Sequence, residues 1–215
     1  MLEFKNLGKA FDGDRLFTGL DYRGDAGCVA LTNESDRGKS VLLAILAGKM
    51  TADQGDIRVT DLPGQAGVAY IPDDCLDRMV PSGRAFLEQV AASRKAVLDS
   101  KALALLEAFD LLPHLDKPFE QMSVGTRKKF FVVASTLGAV RTIIADGPSD
   151  GLDLASRRIL AQLFKTLGQD RLVFFASYDS DLVEACGARE MSFADFTDAC
   201  GCGCGCGCGC RCRCL

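Results

Sequence analysis

The chain has 215 residues, 48% of them hydrophobic and 25% charged, with a formal net charge of -4. That length accommodates one medium-sized domain with a full core, or a domain carrying a small inserted lobe. The composition suits a soluble globular protein, and the negative balance argues against broad electrostatic capture of nucleic acid, so no nucleic-acid partner is expected.

The opening "MLEFKNLGKAF" sets charge among its apolar residues; it reads as a strand and lacks the continuous apolar run of a secretory leader. "CVALTNE" and "GDIRVTD" are two further short strand candidates. After "CVAL" a polar loop leads into "KSVLLAILAGKM", whose apolar spacing predicts a buried helix ending near Gly48. "GVAYIP" reads as a core strand stopped by Pro72. From there "SGRAFLEQVAASRKAVLDSKALALLEAFDLL" is rich in helix formers, with Ser82 as an N-cap, so residues 74–120 are expected to form a helical lobe.

A helix over about 126–137, the strand "RTIIAD", a helix over 154–167, the strand "RLVFFAS" and an edge strand in "REMSF" complete the pattern. Apolar strands alternating with helices predict an α/β fold with a largely parallel sheet covered on both faces, its core formed by residues 1–73 and 121–198. The longest apolar stretch, "FFVVASTLGAV", has 11 residues, short of the roughly 20 that cross a bilayer. Any membrane connection is therefore expected to run through a partner, with the chain cytoplasmic and peripheral to the inner membrane.

The segment "LTNESDRGKSVLL" sits between strand and helix, where a phosphate-binding loop belongs. In the pattern G-x-x-x-x-G-K-[ST], backbone N–H groups surround phosphates, the lysine reaches the outer phosphates and the hydroxyl binds magnesium. Gly38, Lys39 and Ser40 match its end, while Asn33 stands at the first glycine.

The order of motifs over about residues 1–195 resembles the nucleotide-binding domain of ATP-binding cassette (ABC) proteins, including compact transporter ATPase subunits. The resemblance implies a P-loop NTPase core of ABC type with a short inserted helical lobe, binding ATP and Mg²⁺. It aligns Phe11 with the aromatic that stacks on adenine, although an ordinary packing role fits that ring equally well. Asn33, Ser35, Asp36, Arg37, Gly38, Lys39, Ser40 and Val41 fall on the phosphate loop, and "MSVGT", with Ser123 and Gly125, on the signature L-S-G-G-Q. "ADGPSDGLD" falls on the D-E-P-T-S-G-L-D stretch, placing Asp146 at the magnesium aspartate, with Ser40 and Asp73 as further magnesium positions.

The departures are as informative as the matches. Gly147 stands where the family has the glutamate that polarises attacking water, and glycine can neither take a proton nor aim a water. Tyr178 replaces the switch histidine, Asp73 the magnesium-sensing glutamine and Asp36 a loop glycine, with Glu34 adding a carboxylate close to phosphate. These losses imply a degenerate cassette, a regulatory or structural component of an ABC-type transporter or related assembly with reduced or absent nucleotide affinity and impaired hydrolysis, unless Asp73, Asp74, Asp150 or Asp179 supplies a displaced carboxylate to an active ATPase. A stand-alone scaffold, or a metal-responsive binding protein using the Cys-rich tail, that no longer uses nucleotide is the remaining alternative.

In the family two cassettes face head to tail, so the resemblance also implies a dimer. A heterodimer with a competent cassette would use Ser123 and Gly125 against the partner's nucleotide, and a membrane permease would dock on the helical lobe. "RKK" at 127–129 is expected on a solvated or interface face, and His114 in a structural or solvent-facing position.

Of the 11 cysteines, Cys28, Cys75 and Cys186 read as isolated small apolar residues. Cys200, Cys202, Cys204, Cys206, Cys208, Cys210, Cys212 and Cys214 alternate through a Gly-Cys tail over 199–215. Such thiols suit Zn²⁺, Cu(I) or an iron–sulfur centre, redox or covalent modification, or no specific role; the even spacing lacks C-x-x-C knuckles.

Overall fold

The computed structural model describes residues 1–11, 13–32, 35–59, 67–75 and 81–197. Asn33 and Glu34 of the phosphate loop and the cysteines from Cys200 to Cys214 lie outside the described residues.

Two sheets build the molecule. Strand β1 (Leu2–Phe11) is the centre of an antiparallel sheet between β2 (Asp14–Gly24) and β4 (Gln54–Val59). The second sheet is parallel throughout, in the order β5 (Val68–Ile71), β6 (Thr142–Asp146), β7 (Leu172–Ala176), β3 (Gly27–Leu31) and β8 (Arg189–Met191). The first and third predicted strands therefore belong to a separate antiparallel layer. β2 was not expected: Gly19 takes a left-handed φ of 67°, and the register with β1 shifts three times, which blurs the alternation that marks a strand.

β3, β6 and β7 are buried almost end to end, as strands covered on both faces must be. Their side chains divide by period two. Cys28, Ala30, Ile143, Ala145, Val173 and Phe175 face one apolar cluster; Val29, Leu31, Ile144, Phe174 and Ala176 face the other.

The second cluster is roofed by helix α1 (Asp36–Leu46) and the antiparallel sheet, through Leu42, Leu43, Phe4, Phe17 and Tyr22. The first is covered by α2 (Gly83–Ser93), α3 (Ser100–Ala108), α4 (Val124–Thr136), α5 (Leu154–Leu167) and α6 (Ser180–Cys186). Single 3-10 turns at Leu112–His114 and Phe119–Gln121 join α3 to α4, and α7 (Phe193–Thr197) folds Phe196 against Phe4, Tyr22 and Phe174.

Helix ends follow local chemistry. Ser82, Asp99, Ser123, Asp153 and Asp179 each cap a helix by accepting from the backbone N–H three residues on. α5 begins and ends where its apolar stripe predicts. Cys28, Cys75 and Cys186 are buried free thiols; burial pushes the Cys75 thiol up to about 12.

Candidate functional site

The parallel topology brings the C-terminal ends of β3, β5, β6 and β7 to one edge, where open α/β sheets bind ligands. A cleft of about 210 Å³ lies there, lined by Lys39, Ser40, Asp73, Asp146, Gly147 and Asp150 together with Asp36, Ser177 and Tyr178. Residues distant in sequence meet because each follows the end of a neighbouring strand.

Lys39 is only 3% exposed, and its ammonium makes no hydrogen bond. Asp36 Oδ1 lies 3.4 Å from Nζ, an ionic contact outside hydrogen-bonding geometry. The Tyr178 ring centroid lies 3.6 Å from the same ammonium. The Tyr178 hydroxyl in turn donates to Asp36 Oδ1. That bond, reinforced by Lys39, holds the Asp36 carboxyl below its ordinary value. The first turn of α1 and Tyr178 are thus tied directly together.

At the loop's end, Ser35 caps α1 by accepting from the Gly38 N–H at 3.2 Å. Val41 turns its side chain into the core, so contact with a ligand from this position would be main-chain. Phe11 is half-buried, with Lys9 Nζ 5.1 Å and the Arg37 guanidinium 5.0 Å from its ring centroid. Its electron-rich face already attracts cations.

Asp146 is 8% exposed, and burial pushes its carboxyl up against the opposing hydrogen bond from Ser40. A hydroxyl beside a carboxylate is a hard-oxygen pair suited to Mg²⁺, which takes few protein ligands and leaves the rest to phosphate and water. Asp73, which also lines the cleft, adds a third oxygen donor.

Gly147 has a φ of +50°, and its N–H donates to Ala176 O at 3.1 Å. A Cβ at this position would lie 2.2 Å from Asp150 Oδ2. Gly147→Glu is therefore expected to lower the thermal midpoint and to leave phosphate release unimproved, because the added side chain meets both an unfavourable backbone and an occupied space. Calorimetry and a phosphate-release assay check the two halves of that statement.

"RKK" is not a solvated face. Lys128 is fully buried, and its Nζ donates to Gly147 O at 2.6 Å and to Asp73 Oδ1 at 3.4 Å. Lys129 bonds Asp153, and Arg127 bonds the carbonyl of Met122. The position of Lys128 was legible in principle, three residues after buried Gly125 and four before buried Val132, on the inward stripe of α4.

Replacing Lys128 by methionine leaves the Gly147 carbonyl without this donor. It is expected to lower the unfolding free energy by about 1–3 kcal/mol. Urea denaturation should show the midpoint falling at unchanged slope.

Ser123 and Gly125 do not line the cleft. Ser123 caps α4 and shares a 2.8 Å hydrogen bond with Thr126 Oγ1, while Gly125 packs so closely on Gly151 that a Cβ would stand 2.2 Å from its carbonyl oxygen. His114 is half-buried in the 3-10 turn after α3 and also lies outside the cleft.

The sheet order, the buried loop lysine and the hydroxyl–carboxylate pair define a P-loop α/β protein. The family model for the ABC transporter matches residues 25–150, and the chain belongs to that family. It is 30% identical over 183 residues to a putative ABC transporter ATP-binding protein of Streptomyces avermitilis, covering 78% of this chain and 68% of the relative. It is 28% identical over 212 residues to an arabinose import ATP-binding protein of Burkholderia cenocepacia, covering 86% of this chain but 41% of that longer protein. Among solved structures, a dimeric post-hydrolysis state of the ATP-binding cassette MJ0796 bound to ADP and Pi superposes with a TM-score of 0.75 at 17% identity, covering 89% of this chain and 94% of that one.

Among the described residues no helix is long and apolar enough to cross a membrane. Nor does any group of three or more His, Cys, Asp or Glu among them form a metal cluster.

Proposed function

We propose that the chain is the ATP-binding subunit of an ABC-type membrane transport assembly, and that its own half-site binds Mg-ATP but turns it over slowly. The observation that carries this reading is Gly147, a residue without a side chain next to the buried carboxylate of Asp146. The surrounding cleft supports nucleotide binding: Lys39 is an anion partner without a hydrogen bond, and Ser40 and Asp146, with Asp73 in the same cleft, would hold magnesium. The metal, when bound, offsets phosphate charge. The missing carboxylate at position 147 removes a group of the kind worth about 10²–10⁴-fold in rate.

Ser123 and Gly125 lie outside this cleft, which favours a head-to-tail arrangement in which the signature serves a second cassette. The half-site defects favour a heterodimer with a competent partner over a homodimer. The helical lobe, residues 74–120, would face a membrane permease and hold the chain at the cytoplasmic side of the inner membrane.

Titration of the purified chain with a fluorescent ATP analogue and Mg²⁺ should show saturable binding, lost in Lys39→Ala, while phosphate release stays low. Failure to bind at millimolar nucleotide would overturn the reading. So would rapid Lys39-dependent release by the isolated chain.

A further inference from the structure

The space that a side chain on Gly147 would enter already contains a carboxylate. Asp150 Oδ2 lies 2.2 Å and its Cγ 3.1 Å from the Cβ position of residue 147. The cause is local: with Gly147 in the left-handed region, the Asp150 N–H reaches back to Gly147 O at 3.1 Å and folds residues 147–150 into a turn. The next residue, Gly151, also has a positive φ and backs onto Gly125, fixing where the turn can lie.

The other acids near the cleft are engaged elsewhere. Asp36 is held by Tyr178 and Lys39. Asp73 pairs with Lys128, and Asp146 accepts from Ser40. Asp179 caps α6 and pairs with Arg157 at 3.5 Å, and Asp74 does not line the cleft. Asp150 lines it, is exposed, and has no side-chain hydrogen bond or ion pair among the described residues. Lys39 lines the same cleft, and its ammonium, buried and without a hydrogen bond, marks where an anionic ligand would sit.

We propose that Asp150 is the carboxylate that aligns and deprotonates the attacking water in this site. The inference rests on the proposed nucleotide-binding function and adds the residue through which its slow turnover runs. The water oxygen forms a bond to the γ-phosphorus as the bond from that phosphorus to the β–γ bridging oxygen breaks. The electron pair leaves with the nucleoside diphosphate, and the water proton passes to the Asp150 carboxylate and then to solvent. The carboxylate comes from a side chain three residues further along the turn, so its approach depends on the conformation of residues 147–150.

The test uses the full chain and Mg-ATP, with binding and phosphate release measured separately. Asp150→Asn is expected to cut Lys39-dependent release about 100-fold or more, with ATP affinity within about twofold of wild type and an unchanged thermal midpoint; Asp150→Glu should retain part of the rate. The double variant Gly147→Glu/Asp150→Ser, which clears the occupied space, should exceed Gly147→Glu alone. Undiminished release by Asp150→Asn would overturn the proposal, as would a gain from Gly147→Glu alone equal to that of the double variant. Binding without any Lys39-dependent release in the wild type would overturn this inference but leave the nucleotide-binding reading standing, whereas absence of binding would remove both.

Discussion

Changing Lys39 to alanine is expected to weaken ATP binding about ten- to a hundredfold, the loss that accompanies removal of a charged hydrogen-bond donor worth about 1.5–3 kcal/mol. The fold should survive. An ammonium that is 3% exposed, makes no hydrogen bond and is offset only by the exposed Asp36 carboxylate at 3.4 Å and the Tyr178 ring is a costly group to keep in the unliganded protein. Its removal gives up the packing of the aliphatic stem but also relieves that desolvation. Stability and affinity are thus expected to separate, with the unfolding free energy changing by no more than about 1 kcal/mol. Isothermal titration calorimetry and urea denaturation of the same preparation give the two numbers. A large fall in stability with affinity unaltered would mean that Lys39 is a structural residue.

How much of this site could be read from sequence depends on whether a feature is local. β6, β7 and α5 were legible because an unbroken apolar run or a capped stripe with buried Leu160 and Phe164 states its environment within a few residues. β2 was not, because Gly19 and the shifting register displace its inward residues from strict alternation. Lys39, Ser40 and Asp146 were legible as a motif, and Gly147 as a departure from it.

The alliance of Tyr178 with Asp36 was not, because it exists only since β3 and β7 are neighbours in the sheet. Lys128 was misread because a run of three basic residues suggests solvent, although its spacing from Gly125 and Val132 places it inside. Asp150 could be named only as one of four acids. What singles it out is the left-handed turn at Gly147, a backbone property that glycine permits but does not announce.

Removing Tyr178 should raise nucleotide affinity. The phenol donates to Asp36 while its ring covers the Lys39 ammonium, so the cation most needed by a triphosphate is shared between an aromatic face and a carboxylate. Binding then requires a state in which this arrangement opens, and the apparent affinity is reduced by the fraction of molecules in that state. Tyr178→Phe deletes the hydroxyl and keeps the ring over Lys39; Tyr178→Ala deletes both. A graded gain is expected, largest for alanine and reaching about tenfold if about a tenth of the wild-type molecules are open.

The gain should be flat across the neutral range. Asp36 is held below its ordinary carboxyl value, first by the tyrosine hydrogen bond and then by Lys39. It therefore stays ionised through neutrality, and its contribution to the latch is lost only as the pH falls through that lowered value. Stopped-flow binding of a fluorescent ATP analogue should place the change in the association rate, because opening precedes capture. Weaker binding by both variants would instead mean that the Tyr178 ring contacts the nucleotide itself, and the closed arrangement would then be a resting pose rather than a barrier.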